Sequence, residues 1–400
     1  MSFEESRHAA RTIMRARRAL GSTAIAAFAL VLSTTTACEE SAPADPPDAT
    51  APHVSAEGGP AKEDVDARDA APPPEPLCKL SGPPKSTPGD VLVFEDEFDG
   101  DAVDPMRWNV LSGYQGHGTI VSSAAPESAV ASGGALRIVT DRNPSDAEHP
   151  YVSGHLDTLG ELARTYGKIE FRARFPYAPG VWYAIWGRPW SQPFPEIDIE
   201  ITSPTKKTTS DVYFVNHWAA PPIPADERRS YALVDDIDVT AFHTYTILWK
   251  PGSLDYQIDG VTRMQASPRG VPDLPVYWII NGWVGGWVGM PIPTTPFPNT
   301  FEVDYVRIYR VDGVIAEPAI KVLTQKAAHA KTEAIDVALA NFDEACAHVS
   351  MYDGDVLMKT TSTRPYRFRL SALTSGKHTL SFVATDGERR TTAAVVTDIE

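Results

Sequence analysis

The sequence predicts an all-β protein, made of a large antiparallel sandwich or barrel followed by a smaller sandwich. From Val91 onward, short runs of alternating apolar and polar residues recur between breaks rich in Gly, Pro, Asp and Asn. No long stretch of this region shows the 3.6-residue apolar period of an amphipathic helix. After Val311 tryptophan disappears while the alternation continues, which indicates a second β unit.

Composition limits the classes of protein to consider. A chain of 400 residues is long enough for two or three domains of about 150 residues each. With 42% hydrophobic and 22% charged residues, the chain is globular rather than wholly disordered. The net charge of −16 repels phosphate backbones, so nucleic acid is not an expected partner. Three cysteines are too few for a disulfide scaffold or a thiolate zinc module.

Residues 1–38 are predicted to be an export signal. An apolar run over 22–32, too short to span a bilayer, separates an arginine-rich start from small residues that end at Ala37 and Cys38. One interpretation is cleavage after Ala37 and secretion. The other is lipidation of Cys38, because the stretch resembles a bacterial lipobox, although Thr35 stands where that motif favours Leu. We therefore expect export, either as a secreted protein or anchored by lipid at the cell surface or outer membrane.

Residues 39–88 are predicted to be a tether. They are rich in Pro, Ala, Asp and Glu and contain few aliphatic residues, so they cannot bury enough apolar surface to offset the entropy of ordering. If Cys38 carries lipid, Cys78 and Cys346 remain as a pair, and an oxidising compartment permits a bond between them. Two separate thiols are the alternative.

Residues 89–311 and 316–400 are predicted to be the two β units. The first contains a hairpin over 255–264 with Asp259-Gly260 at its turn, and the second a hairpin over 349–358 with Asp353-Gly354. Other predicted strands are 135–140, 168–174, 245–249, 301–309, 366–370 and 378–383. The second unit suits a small Ig-like sandwich and resembles the bacterial Ig-like modules often appended to secreted enzymes.

The most informative segment is 194–201, which reads Phe-Pro-Glu-Ile-Asp-Ile-Glu-Ile. Because side chains of a strand alternate between faces, Glu196, Asp198 and Glu200 share one face and the isoleucines the other. The acidic face is either a solvated edge or a functional site. Repulsion among three like charges and the many flanking aromatic residues favour a functional site.

The spacing of these acids suits glycoside hydrolysis. The Cα atoms of Glu196 and Glu200 are expected roughly 13 Å apart along a strand. Two long side chains leaning inward on a concave sheet could bring their carboxyls to the ~5–5.5 Å of a retaining glycosidase. Asp198 would lie between them and hydrogen-bond a glutamate. The pKa of at least one carboxyl in such a cluster must rise, which supplies a general acid.

This strand resembles the active-site strand of glycoside hydrolase family 16. The resemblance extends in order over about 91–311, although Tyr183 stands where the family has Pro. It includes residues 94–100 with Trp108, 153–158, 166–174, 180–186, 242–249, Asn281 with Gly285-Gly286, and 303–309. The resemblance implies a concanavalin-like β-jelly-roll with an open polysaccharide cleft on its concave face. It also implies endo-acting, retaining cleavage of β-linked glycans without a catalytic cofactor.

The resemblance also implies residue roles. Glu196 is the nucleophile, Glu200 the general acid/base and Asp198 the supporting acid. This chain lacks the extra residue that many β-1,3-glucanases carry before the last glutamate, and in that respect it resembles the licheninases and the xyloglucan and fungal-wall transglycosylases. The segment with Trp182 and Trp186, by contrast, resembles the β-1,3-glucanases. The sequence therefore predicts a β-glucanase and leaves the linkage open.

Aromatic side chains are the expected sugar platforms, because pyranose C–H faces stack on them. The candidates, each of which could instead be a core residue, are Trp182, Trp186, Trp190, Trp218, Trp283 and Trp287. Asn281 is a further candidate for substrate binding. His217 is expected either to hydrogen-bond the acid or a sugar hydroxyl, or to be purely structural.

The family often holds a structural cation, and Glu97, Gly134 and Asp304 match its positions, so the resemblance implies structural calcium. We expect a monomer whose partner is a polysaccharide. A lectin on the same scaffold and a transglycosylase are the competing interpretations. Binding alone does not require clustered carboxylates, which counts against the lectin, whereas the sequence does not separate hydrolysis from transfer.

Overall fold

A computed structural model describes residues 89–116, 118–190, 195–203, 210–220, 226–342, 346–387 and 389–400. The predicted signal and tether, with Cys38 and Cys78, and also Phe194, lie outside the described residues. The described residues form β-strands and three short 3-10 helices, with no α-helix. None of their helices is long and apolar enough to cross a membrane.

The first unit, through Arg310, is built from 17 strands in its described part. They are β1 (Val91–Asp96), β2 (Asn109–Val110), β3 (Ser122–Ala124), β4 (Ala129–Ala131), β5 (Leu136–Arg142), β6 (Tyr151–Ser153), β7 (His155–Asp157), β8 (Gly167–Arg174), β9 (Val181–Pro189), β10 (Glu196–Thr202), β11 (Asp211–Ala220), β12 (Asp226–Val234), β13 (His243–Lys250), β14 (Ser253–Ile258), β15 (Val261–Gln265), β16 (Val276–Val284) and β17 (Asn299–Arg310). The 3-10 helices span Pro126–Ser128, Pro268–Gly270 and Gly286–Val288.

These strands form two facing sheets. One has the order β15-β14-β13-β8-β17-β5-β6-β3, with β1 added on β17 and β4 on β5. The other has the order β12-β11-β10-β9-β16-β7-β2. Ile169 and Phe171 of the first sheet share one buried cluster with Ile197 and Ile199 of the second. This core confirms the predicted large sandwich and places β10 near the middle of the second sheet.

The predicted hairpin turn at Asp259-Gly260 is present between β14 and β15. Both residues have positive φ, 49° and 77°, as a two-residue turn matched to strand twist requires. Glycine adopts this conformation without cost, and Asp tolerates it better than most residues.

The second unit is a smaller sandwich with its own core. Its strands are β18 (Ala319–Val322), β19 (Ala328–His329), β20 (Ala334–Ala340), β21 (His348–Asp353), β22 (Val356–Thr361), β23 (Tyr366–Arg369), β24 (Gly376–Thr385) and β25 (Arg390–Ile399). In the described residues they form a three-stranded sheet, β18-β20-β23, and a five-stranded sheet, β19-β25-β24-β21-β22. Phe368 and Phe382 meet edge-to-face between the sheets, with ring centroids 5.3 Å apart. The Ig-like assignment of this sandwich stays a prediction.

Candidate active site

The three acids lie on one face of β10, and its isoleucines are buried in the core behind them. Asp198 is only 3% exposed, while Glu196 and Glu200 on either side are half-buried. The alternation expected from the sequence is therefore the observed arrangement. It holds because one face of β10 packs against the other sheet.

Strand pairing determines which residues accompany the acids. Glu196 lies opposite His217 on β11, and Glu200 lies opposite Tyr213. On β9, Trp186 lies opposite Asp198. Residues opposite one another in neighbouring strands share a face, so these side chains border the acids.

Glu196, Asp198 and His217 form a compact cluster. One ligand-type atom from each lies within 4.8 Å of those of the other two. Nε2 of His217 is 3.5 Å from Oδ2 of Asp198. The sequence predicted Asp198 between two glutamates, and the structure places His217 beside Asp198 as an ionic neighbour. Such a cluster could accept a cation, but it equally suits proton transfer between coupled groups.

Glu200 has the electrostatics of a general acid. Burial raises the pKa of its carboxyl, and the negative charge of Glu196 raises it further, to about 7, although Arg229 opposes the rise. A carboxyl with this pKa is largely protonated in slightly acid and neutral solution. The site thus pairs a proton donor with a second carboxylate on the same strand.

Tryptophans flank the Glu200 end of the acidic row. Trp182 and Trp283 are 7% and 6% exposed and share an apolar cluster with Ile120. Trp287 is 55% exposed, and its ring centroid lies 5.2 Å from that of Tyr213. Trp287 therefore offers an open ring face, whereas Trp182 and Trp283 are mostly packed.

Asn281 holds Trp186 in place. The Nε1 group of Trp186 donates to Oδ1 of Asn281 at 2.7 Å, and Asn281 is fully buried. Its Nδ2 group and Nε1 of Trp182 have no hydrogen-bond partner among the described residues. Unsatisfied buried donors are costly, so either N–H group would gain from an acceptor oxygen that reached it.

His155 is a site residue that the sequence reading did not single out. It lies opposite Asn281, packs edge-on against Trp283 at 5.3 Å between ring centroids, and is buried. Burial lowers the pKa of its imidazole to about 4, so the ring is neutral at pH 7. Its Nδ1 also lacks a hydrogen-bond partner in the described part of the chain. The sequence placed His155 only within the family-like segment 153–158 and gave it no role of its own.

Strand β12 supplies residues that were also missed. Leu233 lies opposite Tyr213, Tyr231 opposite Val215, and Arg229 opposite His217. Tyr231 and Leu233 are exposed, and the positive charge of Arg229 acts on Glu200. The alternation of Arg229, Tyr231 and Leu233 was visible in the sequence, but its pairing partner was not.

Of the two remaining tryptophan candidates, Trp218 lies on the opposite face of the sheet from the acids, and Trp190 lies beyond the end of β9 against a cluster that Trp186 also contacts. Trp218 follows His217 on β11 and so faces away from the acids, where it packs against Gly270. A Cβ at Gly270 would lie only 2.3 Å from the Trp218 ring. Trp190 packs against Tyr277 and Ile279, beyond the end of β9. Of the two alternatives given for Trp218, the core residue is therefore the observed one, because alternation along β11 directs its side chain to the other face.

The two carboxylates predicted to hold calcium, those of Glu97 and Asp304, are engaged in ion pairs. Arg307 donates two hydrogen bonds to the carboxylate of Glu97, both of 2.7 Å. Arg172 donates to Asp304 at 2.6 Å. With both carboxylates paired to arginine, neither Glu97 nor Asp304 offers a cation a free carboxylate ligand in this arrangement.

Comparison with known proteins identifies the class. A family model described as glycosyl hydrolases family 16 matches residues 122–307. A β-glucanase of Rhodothermus marinus is 31% identical over 259 residues, which are 58% of this chain and 90% of that protein. Glucan endo-1,3-beta-glucosidase A1 of Niallia circulans is 27% identical, and the match spans 55% of this chain and 38% of that protein.

Two solved structures are also similar to this chain. A structure reported for endo-acting O-glycanases of the human gut microbiota has 25% identity and a TM-score of 0.50, covering 57% of this chain and 94% of that one. The laminarinase of Rhodothermus marinus has 32% identity and a TM-score of 0.48, covering 55% and 97%. The all-β sandwich with its row of acids defines a glycoside hydrolase. More particularly, the chain belongs to glycoside hydrolase family 16.

Proposed function

We propose that this chain is an endo-acting, retaining hydrolase of β-glucan with β-1,3 or mixed β-1,3-1,4 linkages. The observation that carries the proposal is the row Glu196, Asp198 and Glu200, in which burial and Glu196 raise the pKa of Glu200 to about 7. The named relatives are a β-glucanase and an endo-1,3-β-glucosidase, which supports glucan as the substrate class.

In the proposed reaction, ionised Glu196 attacks the anomeric carbon while Glu200 gives its proton to the departing glycosidic oxygen. The C–O bond breaks and a glycosyl ester forms on Glu196. Glu200, now ionised, then takes a proton from water, whose oxygen attacks the same carbon and releases Glu196. Asp198 and His217 would orient Glu196, and His217→Ala with unchanged turnover would leave this histidine a purely structural role.

The decisive experiment is reducing-end release by the purified chain. Barley mixed-linkage glucan, laminarin, xyloglucan and agarose are tested in parallel, with Glu196→Gln as the matched isosteric control. We expect cleavage of at least one of the first two glucans and loss of that cleavage in the variant, because the amide cannot form the glycosyl ester. Products longer than the substrate would indicate transglycosylation. Binding without cleavage of any glucan would favour the lectin.

We also propose export, with lipid on Cys38 anchoring the chain at the cell surface or outer membrane, or with secretion as the alternative. The support is the basic start, the short apolar run and the small residues before Cys38. A fatty-acid probe fed to the producing cells should label the protein and not a Cys38→Ser variant. An unlabelled parent protein in the medium would select secretion.

A further inference from the structure

We propose that the C-terminal sandwich, 316–400, forms part of the wall of the glucan cleft and positions residues that bind the polysaccharide. The inference rests on the proposed function. It assigns to this sandwich a role in substrate affinity, rather than that of a separate module joined by a linker.

The first support is an apolar cluster shared by both sandwiches. Ala163, Tyr277 and Ile279 of the first sandwich are buried together with Ala340 of the second. Trp186, Trp190 and Ala319 pack against the same cluster. Side chains of the C-terminal sandwich thus share one cluster with Trp186, which lies in β9, and with Trp190, which directly follows it.

The second support is the position of this cluster on the sheet. Ile279 of β16 lies opposite Trp186 of β9, and Trp186 lies opposite Asp198 of β10. Neighbouring strands are about 4.8 Å apart, so two steps separate Ile279 from Asp198 by about 10 Å. The C-terminal sandwich therefore packs on the acid-bearing face of the sheet, beside the catalytic row.

Buried polar contacts hold the two sandwiches together. Asn341 is 3% exposed; its Oδ1 accepts a hydrogen bond from the backbone N–H of Thr165 at 2.8 Å, and its Nδ2 donates to the carbonyl of Glu317 at 2.7 Å. Arg364 donates to the carbonyl of Glu161 at 2.7 Å. A bridge between Ala163 and Ala340 adds backbone pairing across the boundary.

These contacts lead directly to the sheet that carries the acids. Arg164, between Ala163 and Thr165, exchanges two backbone hydrogen bonds of 2.9 and 2.8 Å with Val276, the first residue of β16. Asn341 thereby fixes the segment 163–165, which fixes the start of β16 and the neighbouring Tyr277 and Ile279. Loosening Asn341 should displace the wall beside Trp186 and Trp190 without touching a carboxylate.

The test is Asn341→Gly in the full chain. Asn341 has φ of 64°, a conformation that glycine keeps, so the variant removes the side-chain hydrogen bonds with little backbone strain. Lys326→Ala is the control, since Lys326 only pairs with Glu333 on the surface, beyond the other end of β20. The readouts are kcat and KM on laminarin and barley mixed-linkage glucan, the pH profile, and hydrogen exchange of 276–279.

We expect Asn341→Gly to raise KM about three- to tenfold, the equivalent of one lost hydrogen bond. In this variant kcat and the pH profile should stay near those of the parent, and hydrogen exchange at 276–279 should become faster. The control Lys326→Ala should change neither KM nor the exchange rate. Arg364→Ala, a milder variant, should reproduce the KM effect if Asn341→Gly does not fold. If both Asn341→Gly and Arg364→Ala lower the melting temperature and leave KM unchanged, the inference is overturned. If the unmodified protein is inactive on every glucan, the proposed function is overturned instead.

Discussion

At the residue scale, the environment of Glu200 connects the fold to the chemistry. Its carboxyl is half-buried on a face that also carries Glu196 and Asp198. Desolvation penalises the charged form of any carboxyl, and a neighbouring negative charge adds to that penalty. Arg229 lowers the pKa of Glu200 less than these two effects raise it, so Glu200 can hold the proton that leaving-group departure needs.

This environment predicts the alkaline limb of the pH–rate profile. Because the pKa of Glu200 is raised to about 7, kcat/KM should fall as pH rises through that value. Arg229→Gln removes the opposing positive charge and should move the limb to higher pH. Initial rates on the active glucan between pH 4 and 9 would check both, and an unshifted limb in the variant would contradict the assignment of Glu200 as the acid.

Glu200 should also make stability depend on pH. Its folded-state pKa, about 7, lies above the ordinary value of 4.5, so the folded chain binds the proton more tightly than the unfolded chain. The stabilisation is therefore complete below pH 4.5 and is lost as pH rises through about 7. Glu200→Gln, which stays neutral, should melt above the parent at pH 8, and the difference should shrink toward pH 4.5. Glu127→Gln, at an exposed carboxylate, is the control and should show no such trend.

At the element scale, strand alternation decides which side chains can meet substrate. β10 separates acids from isoleucines, and β11 directs His217 toward the acids and Trp218 away from them. The acidic face of β10 was predictable from its sequence because a period of two is a local property. The residues opposite it were not, because pairing of β10 with β9 and β11 joins separate segments.

Two tryptophans at the Glu200 end of the acidic row should respond differently to truncation. Trp287 is 55% exposed and Trp182 7%. Trp287→Ala should raise KM several-fold with a stability change within about 0.5 kcal/mol, since it removes an exposed ring. Trp182→Ala should instead lower the free energy of unfolding by about 3–5 kcal/mol, because it leaves a cavity in a packed site. Thermal denaturation and KM measured on both variants test this, and equal melting temperatures would contradict it.

At the scale of the whole molecule, two β-sandwiches pack against each other. The described residues of the second sandwich have a core of their own, in the region where hairpins and alternation predicted a second β unit. Its contact with the acid-bearing sheet was not predicted. Small residues such as Ala163 and Ala340 carry no sequence signal of a buried boundary, and Asn341 resembles any turn residue until its partner Thr165 is known.

Cys346 is disulfide-bonded, and the other two cysteines, Cys38 and Cys78, lie outside the described residues. We predict that Cys78 is the partner. A thiol count on denatured, unreduced protein should then rise by one in Cys78→Ser, through release of Cys346. In Cys38→Ser the count should not rise, and a rise there would assign the bond to Cys38 instead.

The sequence by itself determined the all-β class, the hairpin turn at Asp259-Gly260, and the shared face of Glu196, Asp198 and Glu200. It also predicted the hairpin over 349–358, but the turn there is Gly354-Asp355 rather than Asp353-Gly354, because Asp353 still pairs with Val356. Each depends on neighbours within a few residues along the chain. The tertiary structure alone decided that His155 and Arg229 join the site, that Trp218 leaves it, and that the pKa of Glu200 rises to about 7. Burial and charge at a point depend on every segment packed around it, and strand pairing brings together residues distant in sequence.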